Sequence, residues 1–346
     1  MQFTEENLTK FDQTQLYLTY ERWPEYFKDA TKIPCKLDHD PDFYKSIVLC
    51  GMGGSATNCD ILKDLIQTVG ILPCAVIKGQ AMPHFVDKHS LVIVNSISGN
   101  TEESILMMKE ASDRNAEVVS ISSGGRLQET CVDRGHKHIH IPNTGLPRAS
   151  LPYLIMPTLR LINPFLERSL DIPSIPRNLL EVSKTISITA PEQFNISKRI
   201  AKFIDGSFVF CFLSPALVSV GTRFKNSLNE NAKVHCLSES VLEASHNEIV
   251  PFTFSYNNNN NPFPPRVLLV KWEYDRPIVH ERFKKVKNFF SQLGEPLMEI
   301  NAYSEANLIN TIICSIYILD YSTIYLAILR NVDPSPTPAI DILKKI

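Results

Sequence analysis

The chain has 346 residues, with 35 Lys+Arg against 37 Asp+Glu and a net charge of -2. That length predicts about two domains, and the near-neutral balance excludes a surface held to nucleic acid or to an anionic membrane mainly by charge. Its 8 cysteines stand singly, without a CxxC pair, and read as small buried hydrophobes of a reducing, cytoplasmic compartment.

The first residues (MQFTEENLTKFDQTQ) are polar and mixed in charge, unlike a signal peptide. No apolar run is expected to approach the roughly 20 residues needed to cross a bilayer, so no membrane span is predicted. Short β-branched runs follow at 46–50 (SIVLC), 75–77, 91–95 and 117–121, each a predicted buried strand. Residues 56–69 and 102–115 between them have helical spacing. Such alternation predicts a parallel sheet covered by helices on both faces. A helix-like stretch, 152–166, leads into 171–177 (DIPSIPR), a proline-punctuated linker.

The pattern then restarts. Strands are predicted at 208–213, 234–237, 266–271 and 297–300, and helices at 218–229, 279–293 and 305–330. Residues 256–265 (YNNNNNPFPP) form a low-complexity loop. The expected architecture is α/β, with two three-layer α/β/α domains of mainly parallel sheet, one at 1–170 and one at 171–346.

Two loops carry candidate chemistry. CGMGGSA at 50–56 follows a strand and opens a helix, where backbone N–H groups and the helix dipole favour an anion. It lacks the GxxxxGK[ST] of a P-loop. It is also a poor dinucleotide fingerprint, because the second strand ends in Val76-Ile77-Lys78-Gly79 with no acidic residue. A plain strand-to-helix turn stands beside the anion reading. The second loop, NSISGNTEE at 95–103, follows the third strand. Strand alternation predicts Ser96 and Ser98 on one side, with Thr101 opening the next helix. Ligands of open α/β sheets sit at the carboxyl ends of strands, so both loops predict one hydroxyl- and amide-lined pocket for a sugar phosphate.

Ser-x-Ser-Gly-x-Thr after a strand resembles the phosphate loop of sugar isomerase (SIS) domains. Added to it are GMGGSA, PRASLP at 147–152, NENAK at 229–233 and SHNE at 245–248. The set resembles the bifunctional phosphoglucose/phosphomannose isomerases, a family with two SIS domains. The resemblance implies a phosphate held by Gly53, Gly54, Ser55, Ser96, Ser98 and Thr101. It implies Glu230 as the proton shuttle, Arg148 as the enediolate stabiliser, and His246, from the neighbouring subunit of a homodimer, with Lys344 for ring opening. Thr337 would leave room for both C2 epimers. Lys345 competes with Lys344, and Ser335 with Thr337, because the tail DPSPTP repeats itself. The implied reaction is metal-independent isomerisation of glucose 6-phosphate, and beside it mannose 6-phosphate, with fructose 6-phosphate through a cis-enediolate, without a cofactor.

His136, His138 and His140 fall on one strand face, which reads as polar surface rather than a metal site. Arg282, Lys284, Lys285 and Lys287 read as a solvated helix face. Two rivals remain open: a non-catalytic SIS module that senses a sugar phosphate, and another SIS isomerase acting on aminosugar or pentose phosphates.

Overall fold

A computed structural model describes residues 3–79, 81–255, 264–303 and 307–343. The chain divides into two compact units: Arg22–Arg177, and Met1–Glu21 together with Asn178–Ile346. The first holds five parallel strands, β1 (Ser46–Cys50), β2 (Cys74–Ile77), β3 (Ser90–Asn95), β4 (Glu117–Ser122) and β5 (Lys137–His140), in the order β2-β1-β3-β4-β5. Parallel neighbours need crossovers; helices Gly54–Val69, Glu102–Asp113 and Gly125–Asp133 lie on the links from β1 to β2, β3 to β4 and β4 to β5, while the described residues between β2 and β3 form no helix. Val48, Cys50, Val92, Val94 and Val118 form one core with Ile105, Met108 and Leu127 of helices Glu102–Asp113 and Gly125–Asp133. Helices Gly54–Val69 and Leu151–Ile162 pack on each other and on the sheet.

The second unit holds β6 (Phe208–Leu213), β7 (Cys236–Ser240), β8 (Pro265–Lys271) and β9 (Leu297–Asn301), parallel in the order β7-β6-β8-β9. That is the wiring of β2-β1-β3-β4, so the two units share one topology, as the repeated alternation predicts. Phe212, Val267 and Leu269 pack against Phe283 and Phe290 of helix Pro277–Leu293. Helices Ile196–Ile204, Val218–Ser227 and Leu308–Leu329 pack together.

Three sequence expectations are corrected. The boundary expected after residue 170 falls at 177/178, and the first residues join the second unit. Leu8, Leu16 and Tyr20 are fully buried there, and Tyr321 donates to the Glu21 carboxylate at 3.0 Å. These apolar residues are too sparse to register as a core contribution in a polar segment. The strand expected at 234–237 starts two residues later, because the preceding turn consumes those positions. The third concerns apolar length: helix Leu308–Leu329 is long and apolar enough to cross a membrane by length and composition, and 89% of its most apolar window is buried inside the protein. Asn310, Thr311, Ser315, Asp320, Ser322 and Thr323 break up its apolar run, which is why no unbroken run betrays it.

No disulfide joins the eight cysteines; six are buried and Cys35 and Cys74 half-buried. Burial pushes the Cys74 and Cys236 thiols up to about 12.

Candidate active site

In the first unit the strand order reverses between β1 and β3, and a crevice opens beyond their carboxyl ends at such a point. Both candidate loops begin there. Gly53, with φ 55°, caps helix Gly54–Val69 without a side-chain hydrogen bond, and Ser55 is buried in its first turn. Thr101 likewise caps helix Glu102–Asp113 without using its hydroxyl on the backbone. Instead Thr101 Oγ1 lies 3.2 Å from Ser96 Oγ, which also accepts from the Gly99 N–H at 3.2 Å. Two helix N-termini, each with partial positive charge and unsatisfied N–H groups, thus start from the carboxyl ends of neighbouring strands with hydroxyls beside them. Lys78, the residue that displaces an acidic dinucleotide contact, pairs with Asp60 at 2.7 Å.

Ser98 differs from the expectation. Ser96 is buried but Ser98 is exposed, accepting from the Asn100 N–H at 3.2 Å. Strand β3 ends at Asn95, so the two-residue alternation no longer applies beyond it. The bend is forced by Gly99 at φ 67°, where any Cβ would collide with the Gly124 carbonyl.

Arg148 lies beside the other loop, 50–56. It sits in the turn Pro147–Ser150, only 6% exposed, and a Cβ on Gly54 would stand 3.8 Å from its Cα. Trp23 holds the turn from behind, donating its indole N–H to the Ala149 carbonyl at 3.0 Å. Arg148 is thus a buried arginine rather than a solvent-exposed one. A buried cation costs several kcal/mol in desolvation unless an anion or dense hydrogen bonding compensates it.

The second unit carries Glu230, His246 and Thr337. Helix Val218–Ser227 runs into a π-helical turn, Leu228–Ala232, which ends at Lys233 in the left-handed region. Such turns are rare and occur often at functional sites. The cause is packing on helix Leu308–Leu329. Asp320 accepts from Arg223 Nε at 2.9 Å, from Arg223 Nη2 at 2.7 Å and from Ser227 Oγ at 2.6 Å. Asn231 Nδ2 then donates to Thr323 Oγ1 at 2.8 Å. Ser227 and Asn231 are thereby pinned to residues one turn apart on the long helix, and the half-buried Glu230 lies between the pins. Burial opposes the Arg223 charge, but the Asp320 carboxylate outweighs it and holds the guanidinium above its usual value, with Glu230 adding to the pull. Removing either partner would strand a buried charge at about 3–5 kcal/mol. Sequence reading missed Arg223 and Asp320. The available signal was a lone carboxylate within an apolar helix.

His246 is exposed in the turn between helices Val241–Ala244 and Val250–Ser255, its N–H donating to the Glu243 carbonyl at 2.8 Å. In the tail, Ser335 is buried with its hydroxyl paired to Thr14. Thr337 is half-buried, and its carbonyl accepts the Ile340 N–H at 3.0 Å. Lys344 and Lys345 lie outside the described residues, as does most of the loop 256–265.

The matching crevice of the second unit, beyond β6 and β8, is chemically different. Ser214 donates there to the Asp275 carboxylate at 2.6 Å. Burial raises the Asp275 carboxyl and the Ser214 hydrogen bond opposes the rise. A carboxylate at that point repels a phosphate, so the duplicated fold keeps one anion-type loop rather than two. Two of the three histidines have local partners: His136, just before β5, has Nε2 2.8 Å from Ser112 Oγ, and His138 within β5 has Nδ1 2.8 Å from Ser120 Oγ. Among the described residues no group of His, Cys, Asp and Glu is arranged to hold a metal. Lys284, Lys285 and Lys287 are exposed on helix Pro277–Leu293.

Residues 44–141 match the SIS domain family, and residues 193–346 match the bacterial phospho-glucose isomerase C-terminal SIS domain. Two like-wired parallel sheets and these matches define a protein of two SIS domains. A hypothetical protein of Thermus thermophilus shares the fold at a TM-score of 0.73 and 14% identity, over 98% of this chain and 91% of its own. The bifunctional phosphoglucose/phosphomannose isomerase of Thermoplasma acidophilum is 32% identical over 304 residues, 87% of this chain and 89% of that protein. A D-glucosamine-6-phosphate 4-epimerase of Sulfolobus acidocaldarius is 28% identical over 253 residues, 72% of this chain and 76% of its own. The chain belongs to the bifunctional phosphoglucose/phosphomannose isomerase family.

Proposed function

We propose that this protein is an aldose–ketose isomerase that interconverts glucose 6-phosphate and mannose 6-phosphate with fructose 6-phosphate. The observation that carries the reading is Arg148, a buried cation set against the glycines that open helix Gly54–Val69. Moving a carbonyl between C1 and C2 requires a base that takes a proton from one carbon and returns it to the next, and a cation for the enediolate oxygen. Glu230 fills the first role and Arg148 the second. Gly53, Gly54, Ser55, Ser96, Ser98 and Thr101 hold the phosphate through N–H groups and hydroxyls. His246 and Lys344 open the pyranose ring, His246 being supplied across a homodimer. The proton shuttle and the guanidinium supply the chemistry without calling on a metal or an organic cofactor. Eight cysteines without a disulfide support action in a reducing cytoplasm, and the burial of Leu308–Leu329 supports that helix as core.

The test incubates purified, EDTA-treated protein with fructose 6-phosphate and identifies the products. Glucose 6-phosphate and mannose 6-phosphate are expected, and Glu230→Gln should lower turnover of both about a hundredfold or more, the scale of a lost general base. A glutamine variant that keeps more than about a hundredth of the rate removes Glu230 as the shuttle. A second reading, action on aminosugar phosphates, is supported by the named epimerase relative. Turnover of glucosamine 6-phosphate without turnover of either hexose phosphate would establish it instead.

A further inference from the structure

Lys233 closes the turn that carries Glu230, and it does so with φ 56°, a left-handed backbone conformation. Helix ends in that conformation usually carry glycine, or asparagine, because any other side chain is strained there. This chain keeps a lysine, and its ammonium is engaged. Nζ donates to the Glu230 carbonyl at 2.6 Å and to the Asp333 carbonyl at 3.0 Å, with the Pro334 and Asn231 carbonyls at 3.4 and 3.5 Å. An ammonium has three N–H donors and no acceptor, so these four oxygens occupy it. Two belong to the Glu230 turn and two to a segment about a hundred residues later in the chain.

That segment is itself ordered by short-range bonds. The Ser335 N–H donates to Asp333 Oδ1 at 2.9 Å, the Ser335 hydroxyl pairs with Thr14, and the Thr337 carbonyl opens the helix Pro338–Leu343. One charged side chain thus ties the turn presenting Glu230 to the tail presenting Thr337. Hydrogen bonds from a charged donor are about twice as strong as neutral ones, and main-chain acceptors make the tie independent of the side chains at 333 and 334.

We propose that Lys233 is a positioning residue of the isomerase, whose ammonium clamps the Glu230 turn to the 333–337 tail and so sets where the base stands relative to Thr337. The proposal rests on the reading of Glu230 as the proton shuttle. It assigns Lys233 no proton transfer and no contact with the sugar. The bland alternative is that Lys233 merely stabilises the second unit.

Lys233→Gly separates the two, because glycine removes the ammonium and also the strain of the left-handed backbone. Lys233→Met keeps the stem without the charge, and Lys233→Arg restores donors. All three are assayed as full-length protein for kcat and KM on both hexose phosphates, for melting temperature, and for amide exchange of Ser335 and Ile340. The clamp predicts that Gly and Met lower kcat at least tenfold with KM little changed, while Tm stays within a few degrees of wild type. It predicts at least tenfold faster exchange at Ser335 and Ile340, and recovery of both properties in Lys233→Arg. Wild-type exchange at the tail in Lys233→Met, or a kcat loss that only tracks a fall in Tm, overturns it. Should wild type turn over neither sugar, the isomerase reading falls, and the exchange data alone decide whether the clamp exists.

Discussion

A Cβ built on Gly54 would stand 3.8 Å from the Cα of Arg148, an ordinary van der Waals separation. One methyl group therefore fits at Gly54, but no larger side chain does without moving the arginine turn. At Gly99 the opposite holds, since φ is 67° and a Cβ would collide with the Gly124 carbonyl. Gly54→Ala should keep the melting temperature within a few degrees of wild type. Gly99→Ala should lose about 1–2 kcal/mol from the left-handed backbone alone, and should raise KM for every substrate through the displaced Ser96–Thr101 loop. Thermal melts and steady-state kinetics on the pair check this, and equal tolerance at both positions would contradict it.

The hydroxyls of that loop should act on binding. Phosphate is held alike in ground and transition states, so Ser98→Ala and Thr101→Ala should raise KM more than they lower kcat. Thr101 shares its hydroxyl with buried Ser96, whereas Ser98 is exposed, so Thr101→Ala should also cost about 1 kcal/mol of stability and Ser98→Ala almost none. A pure kcat effect at unchanged KM would place these hydroxyls elsewhere.

In the tail, Ser335 is buried against Thr14, while Thr337 is half-buried. We therefore propose Thr337 rather than Ser335 for the epimer-tolerant position. Thr337→Gln should damage mannose 6-phosphate conversion more than glucose 6-phosphate conversion. Ser335→Ala should lower stability by about 1 kcal/mol and leave the ratio of the two rates unchanged. A stronger ratio change at Ser335 than at Thr337 reverses the assignment.

A two-fold dimer that shares its sites can be tested by mixing chains. Glu230→Gln and His246→Ala, each expected to be inactive alone, are refolded together, and random pairing makes about half the dimers mixed. In a mixed dimer with shared sites, one site collects both lesions and the other neither. Activity then returns to about a quarter of wild type. A dead mixture, with heterodimers confirmed by native mass spectrometry, would show that each site is built within one chain.

His138 predicts an acid-side loss of stability. Burial, aided by the His140 charge and opposed by a backbone hydrogen bond at Ser122, lowers it to about 4 from 6.5. Between those values the unfolded chain binds a proton that the native state does not. Stability from this group is therefore intact above pH 6.5 and declines as pH falls toward 4. The ring is half exposed, so solvent screening reduces the effect to about 1–2 kcal/mol. His138→Asn should flatten urea-melt stabilities between pH 6.5 and 4; an unchanged slope would assign the loss to other groups.

Much of the fold was legible because strand and helix periods are local. Ser46–Cys50 and Phe208–Leu213 lie where their β-branched and aromatic runs predict, and both loops follow the strands expected to precede them. Legibility failed where a distant partner decided the local shape. Helix 218–229 becomes a π-turn after Ser227 because Asp320 and Thr323 hold Ser227 and Asn231. Nothing within the NENAK segment announces that.

The amino-acid order by itself determined the two alternating βα blocks, the glycine- and hydroxyl-bearing loops at the first switch point, and the position of Glu230 in its motif. Each is a property of neighbours within a few residues, where backbone sterics and side-chain period act. Only the tertiary structure decided that the N-terminal helices belong with the second unit, that Arg148 is buried, that Ser335 is engaged by Thr14, and that Lys233 ties its turn to the tail. Those outcomes depend on contacts between residues up to about 320 positions apart. Loop-closure entropy and the burial of sparse apolar and charged groups set such contacts, and neither is written in any short stretch of sequence.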